Sequence, residues 1–579
     1  MKLSIVTSKN AEQLYIIKSF RKNGKSTSVI YKKLGTMNNL LPLHNNNRND
    51  VIAWAKQQAH ICTQEENEDA GTVLLELSQK NKIPINIPTL FNGGFLFLKD
   101  IFHDLKLDSI SQSIATKHKF TYDLSQILEM LVYTRIIHPS SKISSYEYSK
   151  NMIGHFDFDI QHVYRALSVL AEDMDKIQSD LYKNSKKIVK RNTSILYYDC
   201  TNYFFEIEEA CDDRQYGKSK ENRPNPIIQM GLFLDGDGLP LAFNITPGNT
   251  NEQITLKPTE KKIIKDFELS KFVICTDAGL ASAANRKFNM IQGRCFVVTQ
   301  SIKKLKDHLK KWALDPSGWT FSEDGEKYNI SNIDEIEDEE LKEKMQKGTF
   351  YKERRIKEDD GIEQRLIVTF SVKYRDYQRK IRSKQVERAI KMADQNKIKT
   401  HKNPNDPARF LKVVNTTENG EIASESYVSI NEKTINYEEQ YDGYYGVCTN
   451  LEDEIETIVK INHRRWEIEE SFRIMKSEFK ARPVYLGRKD RIRAHFLVCY
   501  LSLLVFRILE KKLEEKYSAD KLIETLREMN FKYYQGYGYT PIYTRTEITD
   551  DLHEKFGFET DMEIVSEKKF KKILKKVKS

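Results

Sequence analysis

The sequence predicts a multidomain chain in which a helical N-terminal region precedes an α/β core that is interrupted by a β-rich insertion. Three observations predict this arrangement. The chain has 579 residues, which is enough for three or four domains. Residues 48–190 have mainly helical patterns, whereas apolar and aromatic strands alternate with helices from about residue 193. Residues 300–440 break that alternation before it resumes.

These changes of pattern divide the chain into six segments. They are a small β-rich segment (1–47), an α-helical region (48–190), the first part of the core (191–300), an inserted β-rich subdomain (301–440), the second part of the core (441–515) and a basic helical C-terminal region (516–579).

Composition limits the class of protein and its compartment. Lys and Arg number 93 against 84 Asp and Glu, so a net charge of +9 is compatible with a nucleic-acid partner without requiring one. The seven cysteines are scattered and form no CxxC pair, which predicts a reducing cytosol without disulfides or structural zinc. The longest apolar run, residues 495–510, is too short and interrupted to span a bilayer and predicts a buried helix. We therefore expect a cytoplasmic protein with no membrane partner.

The N-terminal 190 residues predict strands followed by helices. Two strands in residues 1–36 flank a turn at Asn23–Gly24. Four helical stretches follow, and a basic one at 182–191 either contacts phosphates or forms a solvated helix face.

The core begins with SILYYDCTNYFFE, a strand that carries Asp199 in its middle. Two apolar runs joined by Asp235–Gly238 predict a hairpin, and the acidic run lacks the ligand spacing of a calcium loop. A helix, an apolar strand that ends at Asp277, a second helix and a further strand follow. This order predicts a mixed α/β sheet.

Residues 461–483, INHRRWEIEESFRIMKSEFKARP, predict one helix with two distinct stripes. The apolar stripe consists of Ile461, Ile468, Phe472, Met475 and Phe479. The polar stripe consists of Asn462, Arg465, Glu469, Arg473, Lys476 and Lys480. The usual explanation of such a stripe is ordinary ion pairs, here Arg465–Glu469 and Glu469–Arg473. A functional helix would instead use Glu469 for a metal and the cations for an anion.

Three acids stand out by their positions. Asp199 is costly inside a strand unless it is paired or metal-bound, Asp277 ends a strand, and Glu469 lies on the helix. Carboxylates that converge in this way suit a pair of Mg²⁺ ions, which can promote phosphodiester chemistry. Taken singly, each acid has a structural alternative: a buried lysine partner, a helix cap or a surface ion pair.

Four blocks in order make the chain resemble the DDE transposases of bacterial insertion sequences, which have an RNase-H-like core. The resemblance covers roughly residues 190–510. Within this family, the chain is most similar to the group whose core carries a β-rich insertion before the final Glu. The matching residues are Asp199 and Thr201 in the first strand, Gly217, Ser219, Lys220, Pro247, Gly248, Asn249 and Glu252 around the hairpin, Asp277 and Gly279 in the second acidic strand, and Arg465, Glu469 and Lys476 in a Tyr-Arg-Glu-Lys signature whose Tyr position is Asn462 here.

The resemblance implies a transposase that binds the terminal inverted repeats of its mobile element and then performs metal-dependent DNA cleavage and strand transfer. Asp199, Asp277 and Glu469 would hold two Mg²⁺ (or Mn²⁺) ions. The implied DNA-binding residues are Arg465, Lys476, Arg473, Lys220 and Asn462. The partners would be double-stranded DNA, at the element ends and the target, and a second copy of the chain on paired ends, associated with a bacterial nucleoid. The helical region 48–190 would bind DNA.

Several alternatives stay open. Trp312 and Trp319 are candidates to stack on a flipped base, although core packing is the more common role. The lysine-rich end, KKFKKILKKVKS, is either a frayed helix or a disordered arm. The rival functions are a metal nuclease of the same fold without strand transfer, an inactive DNA-binding protein derived from a transposase, and a structural α/β protein whose acids are all paired.

Overall fold

The computed structural model describes residues 1–577 except 9–10, 23–24, 45, 70–72, 74, 76, 78, 81, 84, 155, 395–405 and 417–421. The turn predicted at Asn23–Gly24 lies outside the described residues. By its internal contacts the chain divides into two compact units. Unit 1 contains Met1–Asp100, Lys150–His155 and Lys521–Ser579, and unit 2 contains Ile101–Ser149 and Phe156–Asp520. The six-segment division predicted from the sequence stays a prediction.

In the part of the chain that the structure describes, the strands are β1 (Lys2–Ser8), β2 (Ala11–Lys22), β3 (Lys25–Thr36), β4 (Leu90–Asn92), β5 (Ile195–Phe204), β6 (Ile227–Asp235), β7 (Pro240–Pro247), β8 (Val273–Thr276), β9 (Cys295–Gln300), β10 (Trp319–Phe321), β11 (Lys327–Tyr328), β12 (Phe350–Lys357), β13 (Glu363–Phe370), β14 (Leu411–Thr416), β15 (Ile422–Ile430), β16 (Tyr444–Thr449), β17 (Asn530–Tyr534) and β18 (Gly538–Pro541).

In the same described part, the helices are α1 (Met37–Leu40), α2 (Arg48–Asp69), α3 (Phe95–Asp104), α4 (Leu107–Lys117), α5 (Leu124–Ile137), α6 (Lys142–Ser149), α7 (Ile160–Glu172), α8 (Met174–Ser185), α9 (Leu256–Asp266), α10 (Ala283–Phe288), α11 (Asp307–Leu314), α12 (Glu339–Lys347), α13 (Val372–Asp394), α14 (Glu432–Glu439), α15 (Ile455–His463), α16 (Trp466–Arg473), α17 (Lys489–Lys512), α18 (Ala519–Glu528), α19 (Glu547–Phe556) and α20 (Glu567–Lys576).

Unit 1 contains two small antiparallel sheets. One has the order β1-β2-β3, and Leu14, Met37 and Val51 lie in the apolar cluster that it shares with α1 and α2. The other has the order β18-β17-β4. The lysine-rich end of the chain forms α20, whose Phe570 and Ile573 are buried while its lysines lie on the opposite faces. The helix interpretation of this end is therefore the one that the structure supports.

Unit 2 is built on one mixed sheet of ten strands in the order β11-β10-β12-β13-β16-β9-β8-β5-β6-β7. β5, β6 and β7 are antiparallel neighbours, and β8 and β9 continue the sheet parallel to β5. These five strands match the strand, hairpin and strand order that the sequence predicts. The remaining five are antiparallel to their neighbours.

The hairpin turn between β6 and β7 is held by a buried aspartate. Asp235 accepts hydrogen bonds from the backbone N–H groups of Asp237 and Leu239, each 3.0 Å long, and pairs with the buried Arg191. This ion pair explains why α8 ends at Ser185, short of the basic stretch predicted as helix to residue 191, because Arg191 must turn inward to reach Asp235. The acidic turn is a structural element, in line with the rejection of a calcium loop.

The segment 301–440 lengthens the central sheet rather than forming only a separate β layer. β10, β11, β12 and β13 join the sheet through the pairing of β13 with β16, and β14 pairs with β15 outside it. Four helices, α11–α14, also lie in this segment, so it is mixed in structure. The strand β13 ends at Phe370, and the long charged helix α13 begins two residues later.

The single helix predicted over 461–483 is divided. α15 ends at His463, α16 runs from Trp466 to Arg473, and a wider π turn covers Ile474–Glu478. Backbone hydrogen bonds from Glu467 and Ile468 reach back only three residues, to Arg464 and Arg465, which tightens the chain at the join. The predicted apolar stripe is nevertheless correct, because all five of its members are buried.

The helix α17 forms the apolar centre of unit 2. Its length and apolar composition would allow it to span a membrane, but 94% of its most apolar stretch is buried inside the protein. It packs against α5, α7 and β7. The apolar run at 495–510 is therefore the buried helix that the sequence predicts.

Candidate functional site

Asp199 and Asp277 lie side by side where two neighbouring parallel strands separate. β5 and β8 pair with Tyr197 opposite Cys275. Asp199 lies two residues further along β5, and Asp277 directly follows the end of β8. The two carboxylates are close enough for the charge of Asp277 to raise the pKa of Asp199. Ligands in open α/β sheets gather at the carboxyl ends of such strands. The structure thus brings the two predicted aspartates together.

The helical segment that carries Glu469 covers the face of β5 on which Asp199 lies. Alternate side chains of a strand share a face, and those at both sides of Asp199 contact this segment. The contacts are Tyr197 Oη to the carbonyl oxygen of Ile461 (3.0 Å), Lys476 Nζ to Thr201 Oγ1 (2.5 Å) and Tyr203 Oη to Met475 Sδ (3.8 Å). Asp199 is therefore held between a sheet and a helix, on the side that carries the cations of the signature.

The side chain of Asp199 is partly buried. Burial raises its pKa to about 6, the positive charges of Lys220 and Arg465 oppose that rise, and the nearby negative charge of Asp277 adds to it. Its Oδ1 accepts a 2.7 Å hydrogen bond from the backbone N–H of Cys200. A carboxylate with so few compensating contacts is one whose charged form a bound cation would stabilise.

Asp277 has a local structural partner as well. Its Oδ1 accepts a hydrogen bond from the backbone N–H of Leu280 (3.1 Å), which closes the turn after β8. The cap of the next helix, α10, is Ser282, whose Oγ accepts from the N–H of Asn285 (3.3 Å). The helix-cap alternative for Asp277 is therefore wrong, and one carboxylate oxygen remains outside the turn contact.

Glu469 does not reach the two aspartates in this structure. It is exposed, and its Oε1 lies 3.4 Å from Arg465 Nη2, the ion pair that the sequence offered as the ordinary alternative. Within the described part of the chain, no three His, Cys, Asp or Glu side chains are grouped to hold a metal ion. The carboxylate chemistry of Asp199 and Asp277 fits a divalent cation, and Glu469 would complete the set only after leaving Arg465.

Two lysines surround the aspartates. Lys220 Nζ donates to the carbonyl oxygen of Cys200 and lies 3.3 Å from Glu252 Oε1. Although burial opposes it, the negative charges of Asp199 and Glu252 raise the pKa of Lys220. Burial, together with the positive charge of Lys220, lowers the pKa of Lys476 to about 8. The site therefore combines paired carboxylates with cations that can accept a phosphate.

Two glycines bring Lys220 and Glu252 to this place. A Cβ on Gly217 would lie 2.0 Å from the carbonyl oxygen of Gly248, and a Cβ on Gly248 would lie 2.2 Å from the carbonyl oxygen of Ile227. The two loops can therefore touch backbone to backbone only without side chains. This contact is the physical reason for glycine at both places in the block that carries the family resemblance.

Two of the predicted DNA-binding residues lie elsewhere. Asn462 is buried, donates to Tyr445 Oη (3.1 Å) and accepts from Thr299 Oγ1 (3.4 Å), so both ends of its amide are used inside the protein. Arg473 donates two 2.7 Å hydrogen bonds to Glu470, and within the described structure it forms no ion pair with Glu469. The predicted Glu469–Arg473 pair is therefore wrong.

An aromatic cavity of about 420 Å³ opens beside the Arg465–Glu469 pair. Its lining includes Tyr374, Tyr445 and Trp466, and the Trp466 side chain is half exposed. Trp466 was missed from the sequence, although an exposed tryptophan between charged residues of an amphipathic helix is an available signal. The predicted stacking candidates do not line this cavity. Trp319 is fully buried and donates its indole N–H to the carbonyl oxygen of Asp315 (2.8 Å), and Trp312 packs partly against the same core.

Comparison with known proteins supplies the family. A family model described as a transposase DDE domain matches residues 204–505, just over half of the chain. That range includes Asp277 and Glu469 and begins five residues after Asp199. No curated protein matches the chain.

The similar solved structures include two transposase complexes. One is a piggyBac transposase synaptic complex with hairpin DNA, at 10% identity over 84% of this chain and 85% of that chain, with a TM-score of 0.35. The other is a Mos1 transposase paired-end complex with the left transposon end, at 12% identity over 42% and 66%, with a TM-score of 0.14. Both scores are low, so the assignment rests on the sequence match, which confirms the resemblance: the chain belongs to the DDE transposase family.

Proposed function

We propose that the protein is a DNA transposase that binds the terminal inverted repeats of its element, cleaves the DNA at their ends and transfers the strand to a target. The observation that carries this proposal is the pairing of β5 with β8, which sets Asp199 and Asp277 next to each other. The segment that bears Glu469 covers the same face. Family membership supports the same class of reaction.

Asp199 and Asp277 would hold divalent cations, Mg²⁺ or Mn²⁺, with Glu469 as the third ligand. When bound, two such ions supply the activation of a nucleophile and the stabilisation of a leaving oxygen in phosphodiester chemistry. The high pKa of Asp199, caused chiefly by burial, supports a cation at this place. Asp199 lies within β5 and Asp277 directly follows the end of β8, so these two residues would fix the position of a bound cation.

The cations around the aspartates would orient the DNA backbone. Lys220, Lys476 and Arg465 all lie close enough to Asp199 for their charges to interact with it. A phosphate at this place would compete with Glu469 for Arg465. We therefore propose that DNA binding frees the Glu469 carboxylate from the 3.4 Å ion pair and makes it available beside the aspartates.

Other parts of the proposal concern the fold and the assembly. The order β7-β6-β5-β8-β9, with three antiparallel strands followed by two parallel to β5, supports an RNase-H-like core. We propose that helices from the region 48–190 contact DNA outside this core and that two copies act on paired ends. We further propose that the protein acts in the reducing cytoplasm, where its seven cysteines would remain thiols.

A second candidate is a DNA-binding protein of transposase origin that no longer cleaves. The specific observation that favours it is the ion pair of Glu469 with Arg465, which keeps Glu469 separate from the aspartates. This candidate predicts DNA binding without metal-dependent cleavage.

The experiment is Mg²⁺-dependent cleavage and strand transfer on a duplex that carries the terminal repeats of the source element. Wild type should cut at the repeat end, and Glu469→Gln should lose cleavage while it keeps DNA binding. Glu470→Gln is the matched control, because Glu470 is the next carboxylate on the helix and pairs with Arg473 instead. Cleavage without joining would indicate a nuclease, and binding without cleavage in wild type would establish the second candidate.

A further inference from the structure

A second, strongly basic cavity lies in unit 2 beyond the end of the π turn. Its volume is about 470 Å³. It is bounded by the loop that follows the π turn, by the end of α5, by the start of α6 and by α17. Its charged side chains are Arg135, Lys142, Lys480 and Arg482, and none of the described residues that line it is Asp or Glu. The cavity therefore has the electrostatic character of an anion site.

Lys142 is the most unusual of these cations. Only 5% of its surface is exposed, and no described residue provides it with a hydrogen bond or an ion pair. Burial, reinforced by the positive charge of Arg135, lowers its pKa to about 7. A buried ammonium group without a counter-charge is costly, and proteins normally pair such a group. Its partner is therefore to be sought outside the chain.

Arg135 contributes a second buried positive charge that is fixed in place. Its Nη1 donates to the carbonyl oxygen of Phe479 (3.0 Å) and its Nη2 to that of Ser140 (3.3 Å). Carbonyl oxygens orient the guanidinium but do not neutralise it. Its Nε has no hydrogen-bond partner within the described structure. This arrangement leaves the positive charge of Arg135 at the cavity wall without a counter-charge.

The start of α6 adds a weaker attraction for anions. Lys142 is the first residue of this helix of eight residues, and Ser141 Oγ accepts a hydrogen bond from the N–H of Ser144 (3.2 Å). The positive end of the helix dipole thus points toward the same cavity wall. Together with the unpartnered Lys142, it indicates a ligand that carries several negatively charged oxygens, such as a phosphate.

The cavity is next to the candidate active site. Glu221 connects the two, since its Oε1 lies 3.9 Å from Lys476 Nζ and it also pairs with Arg482. At the mouth of the cavity, Tyr485 exposes 69% of its surface. A DNA strand that passes Lys476 could place its next phosphates here and a base or sugar against the Tyr485 ring.

We propose that this cavity binds a backbone phosphate of the DNA strand that enters the candidate active site. The proposal rests on the proposed function, because it takes DNA as the ligand. Lys142 and Arg135 provide the charge, and Ser140 and Ser141 provide hydroxyl groups at the rim. The contact positions the strand and carries no base sequence, as is usual for phosphate contacts.

The first test is the salt dependence of DNA affinity for Lys142→Met, measured without divalent metal by fluorescence anisotropy on a labelled duplex. Removing one lysine that neutralises a phosphate should reduce the slope of log affinity against log salt by about one. Lys265→Met is the matched control, because Lys265 is an exposed helical lysine of the same unit. An unchanged slope in Lys142→Met would overturn the proposal.

Methionine keeps the length of the side chain and removes a costly buried charge, so we expect Lys142→Met to fold. Lys480→Met, at the rim of the same cavity, is a second variant and should lower the slope in the same direction. If Lys142→Met did not fold, an unchanged slope in Lys480→Met would overturn the proposal.

The second test separates the DNA strand from free phosphate and the cavity from the proposed function. Inorganic phosphate should raise the melting temperature of wild type above that in chloride of equal ionic strength, and Lys142→Met should lose this effect. Loss of the phosphate effect with an unchanged DNA slope would identify a site for free phosphate and overturn the DNA assignment. Because no metal or cleavage is involved, both readouts remain valid for a protein that does not cut DNA.

Discussion

The candidate active site and the basic cavity each contain a buried charge that lacks a full counter-charge, and the two charges have opposite signs. Burial raises the pKa of Asp199 to about 6 and lowers the pKa of Lys142 to about 7, so each is displaced toward its neutral form. The surroundings differ. Asp199 has both acidic and basic neighbours, whereas the charged neighbour of Lys142 is the cation Arg135. The first region suits a cation with a phosphate, and the second suits a phosphate alone.

This difference teaches that a buried ionisable group can indicate the sign of a ligand that the protein itself does not supply. A structural ion pair in the same unit provides the contrast. Asp235 is fully buried, but it pairs with Arg191 and accepts two backbone hydrogen bonds, so its partners are complete. Burial alone therefore does not mark a binding site, and incomplete compensation does.

The largest expected effect comes from Asp199→Asn. Removing one of the paired carboxylates should reduce Mg²⁺-dependent cleavage of the repeat ends by about a thousandfold or more, since it removes stabilisation of charge in the transition state. DNA binding measured without metal should not weaken, because the variant removes a negative charge from the site. Cleavage assays and anisotropy on the same duplex provide the two readouts.

The control for that comparison is Asp212→Asn. Asp212 is exposed and has a φ of 52°, a backbone conformation that asparagine adopts readily. It should retain wild-type cleavage. If Asp199→Asn also retained cleavage, the region around Asp199 would not be a catalytic cation site, and the paired aspartates would have a structural role.

The pH dependence of stability should separate the two buried charges in the metal-free protein. Asp199 has a folded pKa raised above 3.8, so its cost to the folded state develops as pH rises from about 4 to 6 and persists above. Lys142 has a folded pKa below 10.5, so its cost is complete below about pH 7 and disappears toward pH 10.5. Relative to wild type, Asp199→Asn should therefore become more stable as pH rises from about 4 to 6. Lys142→Met should be more stable than wild type below about pH 7, and this difference in stability should shrink as pH rises toward 10.5.

Urea unfolding across pH 4–9 would measure both trends, and the differences should be on the order of 1–3 kcal/mol. Parallel curves for wild type and Lys142→Met would show that Lys142 is compensated, which would remove the contrast between the regions. Addition of Mg²⁺ should reduce the advantage of Asp199→Asn, and phosphate should reduce that of Lys142→Met, since each ligand supplies the missing charge.

The sequence predicted the half of the sheet that contains the aspartates far better than the other half. The hairpin strands and β8 have apolar runs bounded by turn residues, and β5 is rich in aromatic residues, so their local patterns are clear. β12, with the sequence FYKERRIK, was missed because its central charged residues face solvent and mask the strand pattern. Its place in the central sheet depends on pairing with β13, and pairing between distant segments has no local signal.

The candidate site was predictable in its residue types and less so in its orientations. The helical wheel assumed one straight helix, but the tight join after His463 and the π turn at Ile474–Glu478 change the direction of each polar side chain. No Gly or Pro marks either irregularity. The basic cavity was beyond sequence reasoning, because the stretch HPSSK around Lys142 has the pattern of an exposed loop, and its burial depends on α17.

The smallest expected effects come from two cations near the π turn, Lys476 and Arg473. Lys476 contacts Thr201 beside Asp199, so Lys476→Met should lower cleavage by roughly tenfold or more by removing a charge near the scissile phosphate. Arg473 is paired with Glu470 on the other side, so Arg473→Gln should change cleavage and DNA affinity by less than about twofold. Equal losses in the two variants would mean that the whole polar stripe contacts DNA, as a straight helix would require. An effect confined to Lys476 would show that the π turn directs which charge faces the aspartates.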